Sequence, residues 1–230
     1  MRKHDTMSHA TTLRAIARLL CYPDDGLMRQ VPQVAEALVL DGTLSSSTRR
    51  ALMALVADLV QRDWLEVEAL YVDTFDRGRR TSLHLFEHVH GDSRDRGPAM
   101  IDLQQTYAGS GLYLADGELP DFLPVVLEFA STQPADTQRE FLGEMAHILN
   151  ALHSALVERE SPYAAAVAAV LELAGEPVQA VKLEPEAPLD DSWQEPEAFG
   201  GCNSAGQQAP GQPQTIHIVR SNAQQTGAAA

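Results

Sequence analysis

The chain has 230 residues, a formal charge of −15 and 44% hydrophobic residues; folded as one unit, a chain of this size buries about 70% of the surface it exposes when unfolded, enough for a core without staples. The charge of −15 argues against a nucleic-acid binder, whose affinity comes largely from lysine and arginine, and with only two lysines among seventeen basic residues this is no polybasic membrane-surface protein. Two cysteines, Cys21 and Cys202, exclude a disulfide framework, and reduced thiols point to the cytoplasm.

Leu13, Ile16, Leu19 and Leu20 recur at helical spacing, and the helix they predict stops before Pro23. Arg14 and Arg18 interrupt that apolar run, so it reads as amphipathic rather than as a signal peptide. No stretch approaches the ~20 apolar residues of a membrane span. Leu27, Val31, Val34 and Leu38 predict a second helix ending at Asp41-Gly42. The serines at 45–47 can cap a third, carrying Leu52, Leu55, Val56, Leu59 and Val60. Trp64, Val67, Tyr71 and Phe75 carry a fourth. Pro98 suits the first turn of a helix running towards Tyr107, with Gly109 and Gly111 to end it.

In "ELPDFLPVVLEFA", residues 118–130, both prolines sit near a helix start, where backbone N–H groups lack internal partners. Asp121 is expected to cap that helix. Phe141, Met145, Ile148, Leu152 and Leu156 mark about four turns of one face. Ser161-Pro162 opens a last, alanine-rich helix that Gly175 can close. The expected fold is all-α: one helical-bundle domain over residues 1–175. From Glu176 the chain turns acidic and proline-rich, then rich in glycine and glutamine. Residues 176–230 are expected to form a mostly disordered tail, because they bury too little apolar area to offset ordering entropy; Trp193, Phe199 and "TIHIV" could dock locally.

"HLFEHVHGDSRDRG", residues 84–97, gathers three histidines, two arginines, three carboxylates and two glycines. On a helix over residues 83–90, His84, Glu87 and His88 share one side, and H-x-x-E-H is the spacing of a zinc hydrolase whose glutamate activates a metal-bound water. A five-residue pattern arises readily by chance, and no second ligand motif accompanies it. Five of the seventeen basic residues (Arg77, Arg79, Arg80, Arg94 and Arg96) lie between Asp76 and Gly97. Pairing with Asp76, Asp92 and Asp95, a protein partner, and a phosphate at a helix N-terminus are all open readings. Tyr71, Phe75, Phe86, Tyr107 and Phe122 are core aromatics by default, although some could line a groove.

Two longer stretches say more. "YVDTFDRGRRTSLHLFEHVHGDSRDRGPAMIDL", residues 71–103, and "ELPDFLPVVLEF", residues 118–129, resemble the NarJ family of nitrate reductase assembly chaperones, within the wider TorD/DmsD group. The likeness runs from about Thr12 to Gly175. It implies an all-helical protein with no catalysis and no cofactor of its own. Such a protein binds the apo catalytic subunit of respiratory nitrate reductase, partly through that subunit's N-terminal segment. It keeps the subunit competent for molybdenum cofactor and iron–sulfur cluster insertion before docking at the membrane. By position, the resemblance places the client surface at His88, His90, Gly91, Asp92, Ser93, Arg94, Asp95, Arg96 and Gly97, with Tyr107, Glu118, Pro120, Asp121 and Phe122. The wider group's Glu-Pro-x-Asp-His is altered here: Glu118 and Asp121 keep the spacing, Pro120 is shifted by one and Phe122 replaces histidine. A client helix in a groove with a charged rim would bind in the micromolar range, about −8 kcal/mol. The alternatives are a chaperone for another molybdoenzyme and a zinc hydrolase using His84, Glu87 and His88.

Overall fold

Ten α-helices and one 3-10 turn make up the regular structure among the described residues. The computed structural model describes residues 2–183 apart from 41 and 92, with side chains from residue 9 onward. These residues lie in one compact unit, Met1–Glu186. The expectations for the tail from residue 184, including Trp193, Phe199, Cys202 and "TIHIV", fall outside the described residues, as does Asp92.

α1 (Arg2–Leu19) buries Leu13, Ile16 and Leu19 completely and packs against α2 (Asp25–Leu40), α7 (Leu123–Thr132) and α10 (Ala164–Ala174). α3 (Ser46–Gln61) lies between α2 and α10 and turns Leu52, Leu55, Val56 and Leu59 inward, whereas Val60 faces solvent. α4 (Trp64–Phe75) adds Tyr71 and Phe75, whose rings are tilted against each other and both meet Tyr163 edge-on. Ala166, Ala169 and Ala174 give α10 a thin face, so that α3, α8 (Ala135–Glu144) and α9 (Ala146–Glu158) can all approach it. Close approach of this kind fills the interior without voids.

The caps follow the sequence closely. The Ser45 hydroxyl accepts from the Thr48 amide at 3.2 Å. Glu172, far along the chain on α10, then accepts from the Ser45 amide and from the Ser45 and Thr48 hydroxyls. Asp63 accepts from the Leu65 amide at 3.0 Å to start α4. Gly175 closes α10 at φ 79°, while Glu176 N–H returns to Leu171 O at 2.9 Å. Beyond that cap, residues 177–181 run along α9: Asn150 Oδ1 accepts from Gln179 N at 2.6 Å and Ser154 Oγ from Val181 N at 2.9 Å.

Two expectations need correction. The stripe from Phe141 to Leu156 is two helices, because the chain leaves helical geometry at Met145 (φ −93°, ψ 0°) between α8 and α9. Phe141 packs against both the main core and a small satellite cluster, where it meets Phe129, whereas Ile148, Leu152 and Leu156 are buried in the main core. One spacing therefore serves two cores. The helix expected over residues 83–90 is only α5 (Leu85–Val89), preceded by the 3-10 turn η1 (Arg79–Thr81). His84 is extended and pairs antiparallel with Phe122. Bonds from outside the helix serve its first N–H groups and hold the chain straight before it.

Candidate functional site

The segment 82–88 is fastened to the segment 120–123. Leu85 N donates to Asp121 O at 3.0 Å, Leu123 N to Leu83 O at 2.8 Å, and Phe86 N to Asp121 Oδ2 at 3.1 Å. The Asp121 carboxylate is fully buried, with His84 Nδ1 at 3.4 Å and Arg96 Nη2 at 3.8 Å. Arg96, which opens α6 (Arg96–Gly109), also reaches Glu87 at 3.4 Å. The Phe122 ring lies over the His84 ring, with centroids 5.2 Å apart. One buried carboxylate thus ties α5, α6 and the start of α7. Asp121 does cap a helix by accepting backbone N–H, but the helix is α5, 35 residues earlier, not its own.

This arrangement takes apart the zinc face. His84 and His88 do not share a helical side, because His84 precedes the helix. His84 faces Asp121, His88 Nε2 meets Ser82 O at 2.8 Å, and Glu87 faces Arg96. Among the described residues, no group of three or more His, Cys, Asp or Glu is placed to hold a metal.

The arginines are paired largely by residues other than those expected. Arg77 meets Asp73 at 3.1 Å, Arg80 meets Glu158, and Arg96 meets Glu87 and Asp121. Asp95 instead bonds Ser93 within the loop. Gly91 adopts φ 51°, and a Cβ there would stand 3.2 Å from the Arg79 guanidinium. Ser93, Arg94, Asp95 and Gly97 are exposed, and His90 is half-buried, edge-on to Phe86. Pro120, Asp121 and Tyr107 are buried: they support this surface from beneath. The Tyr107 hydroxyl donates to Pro120 O at 2.8 Å. Burial, with the Asp121 charge second, pushes the Tyr107 phenol well above its ordinary range, so it stays a donor.

On the other side of Tyr107 lies a groove of about 390 Å³. Tyr107, Leu114, Val125 and Phe129 give it an apolar lining. Arg14, Leu112, Tyr113, Glu118, Glu128 and Thr132 stand around them, all exposed. Arg14 Nε is held by Ser131 Oγ at 3.0 Å. Of the residues singled out from sequence, only Tyr107 and Glu118 border this groove; the rest belong to the fastening or the loop. A signal for it did exist. Val125, Phe129 and Thr132 are spaced i, i+4, i+7 on α7, while Val126, Leu127 and Ala130 cover another side, so the helix has two apolar faces.

A family model described as nitrate reductase delta subunit matches residues 41–169, more than half of the chain. The chain belongs to the nitrate reductase delta subunit family. Its match to the family runs from the start of α3 into α10 and contains both the fastening and the strap between α6 and α7; Arg14, on α1, lies outside it. Within the family, the chain is 41% identical to the nitrate reductase molybdenum cofactor assembly chaperone NarJ of Escherichia coli K12, over 83% of this chain and 86% of that one. It is 44% identical to NarW of the same strain, whose assignment to the same role is provisional, over 71% of this chain and 68% of NarW. A solved protein from Archaeoglobus fulgidus, assigned provisionally to redox enzyme maturation, shares the fold with a TM-score of 0.51 at 19% identity, covering 73% of this chain and 94% of that one.

Proposed function

We propose that this delta-subunit-family protein is a dedicated assembly chaperone. It binds the apo catalytic subunit of a respiratory nitrate reductase and keeps it competent for molybdenum cofactor and iron–sulfur cluster insertion before the subunit docks at the membrane. The observation that carries this reading is the 41% identity to the E. coli assembly chaperone over most of both chains. It is not an enzyme: the relatives are chaperones, and the most enzyme-like motif, His84-x-x-Glu87-His88, is spent on internal bonds. The molybdenum cofactor and the cluster are cargo for the client. The protein works in the cytoplasm, and among the described residues no helix is long and apolar enough to cross a membrane.

The partner surface we assign comprises the exposed loop from His88 to Gly97 and the strap from Glu118 to Phe122, with the client's N-terminal segment as the first element captured. Residues 1–175 form the chaperone body, and residues 177–181 are bonded along its α9. The fastening supports this reading: through Asp121 and Arg96 it gives the loop and the strap a common, stiff footing.

The test is co-expression of the affinity-tagged chain with the catalytic subunit in cells unable to make the molybdenum cofactor. The apo subunit is expected to co-purify, and mature nitrate reductase is not. Equal recovery of both, or of neither, would sink the reading. Arg94→Glu separates surface from scaffold, because Arg94 is exposed whereas Arg96 is tied to Asp121. It should weaken capture and leave the melting temperature unchanged.

A further inference from the structure

We infer that α6 is a lid: it swings off the body as one unit, with the residues on either side of it as hinges, while the main core stays intact. The inference concerns the free chain, needs no assumption about the partner and goes beyond the chaperone reading.

α6 is the helix least built into the protein. Of its fourteen residues only Leu103 and Tyr107 are buried, whereas the ten-residue α7 buries seven. Both join the satellite cluster with Phe129, and α6 contributes no side chain to the main core. Its own sequence adds little stability: Gly97 and Gly109 lie at its two ends, and no side chain caps its start. A helix with few buried contacts and a solvated backbone sits at the low end of local stability.

Two arms hold it down. Arg96, in its first turn, lies 3.8 Å from Asp121, and Tyr107, in its last, donates to Pro120 O at 2.8 Å. The two residues are eleven positions apart, about 16 Å of helix, yet they close on one dipeptide, Pro120-Asp121. α6 straddles that dipeptide. The Arg96 arm is partly exposed and shared with Glu87. Beneath it all, the Tyr107 ring tilts against Phe129, with centroids 4.5 Å apart.

The connections allow the swing. Of four glycines with positive φ among the described residues, three flank α6: Gly91 (φ 51°) before it, and Gly111 (φ 78°) and Gly117 (φ 88°) after it. Glycine absorbs the backbone rotation that a hinge requires. At Gly111 and Gly117 nothing stands within 4 Å of where a Cβ would be, so the chain has room to turn. Opening uncovers Phe129, which keeps Phe141 at 4.9 Å, together with Phe86 and Val125. The bond from Phe86 N to Asp121 does not involve α6, so the fastening to α5 survives the swing. The closed protein thus holds an aromatic face in reserve.

Native-state hydrogen exchange of the full-length chain at increasing urea tests this. The amides of residues 100–109 are expected to share one protection factor and one shallow urea slope, and to exchange about a hundredfold faster than those of α10. Tyr107→Phe should speed them all about tenfold, near residue 100 as much as near residue 109. Val56→Ala makes a cavity in the main core, on α3, which packs against α10; it should speed α10 about tenfold and leave α6 unchanged. Protection and urea slope in α6 equal to those of α10, or acceleration of α6 by Val56→Ala, would mean that α6 opens only when the whole protein unfolds, and the lid is overturned. Acceleration by Tyr107→Phe confined to the last turn would mean simple fraying, and overturns it equally.

Discussion

Replacing Asp121 by alanine strikes the point where three segments meet. The fully buried carboxylate accepts from Phe86 N at 3.1 Å and faces His84 at 3.4 Å and Arg96 at 3.8 Å. Losing a backbone bond to a charged acceptor costs about 1.5–3 kcal/mol. The Arg96 contact adds less, because that side chain is 27% exposed and keeps Glu87. It is worth about 1 kcal/mol at most, as a solvent-screened pair. The total is about 3 kcal/mol, which lowers the melting temperature by about 6–12 °C in a domain of this size. Asp121→Asn keeps an acceptor for Phe86 N and should lose about half as much. Urea denaturation followed by circular dichroism measures both, and hydrogen exchange at the Phe86 amide reports the local loss. If alanine costs no more than asparagine, or both stay within about 1 kcal/mol of the native chain, the carboxylate does not hold these segments together.

Tyr107→Phe removes one bond to the buried Pro120 carbonyl, and is expected to cost about 1–2 kcal/mol in the same denaturation experiment. Gly175→Ala forces a side chain into φ 79°, and should cost about 1–2 kcal/mol by thermal melting. Burial lowers the His153 pKa below its ordinary 6.5. The unfolded chain then binds the extra proton, so stability is full above pH 6.5 and falls as the pH drops through the folded value; His153→Gln should flatten that limb of a stability–pH curve. A chain ending at Leu183 should melt like the full chain. One ending at Gly175 loses the partners of Asn150 and Ser154, and should lose about 1–3 kcal/mol.

The helices whose partners are local or uniformly apolar were legible in the sequence. α2 and α3 carry single stripes, Ser45 and Gly175 are caps recognisable from a few neighbouring residues, and α10 announces itself by alanine. What escaped was set by distant pairing. Nothing near Asp121 says that its oxygen will serve Phe86, 35 residues away, because that bond depends on how α6 returns the chain. The break at Met145 was hidden because the apolar periodicity runs through it unbroken: Phe141, Met145 and Ile148 all pack against the main core, so their spacing gives no sign that the backbone turns there. The long motif located the loop and the strap. It did not locate Tyr113 or Glu128, which stand exposed beside the groove, a property that spacing does not encode.

The reach of Glu172 back to Ser45 has a bearing on how the protein is made. The residue that completes the first turn of α3 is synthesised 127 residues after the serine it binds. At about 5–20 residues per second, that leaves an interval of about 6–25 s. Late in it, α1 and α3 have left the ribosome while α10, which covers part of both, does not yet exist. Until α10 is made, the apolar faces built on Leu13, Ile16, Leu52 and Leu59 lack part of their final cover. Ribosomes stalled before residue 172 would therefore display adhesive, unfinished chains, and synonymous codon changes that slow this stretch should lower soluble yield without altering the finished protein. A protein that shelters an incomplete partner passes through an incomplete state of its own.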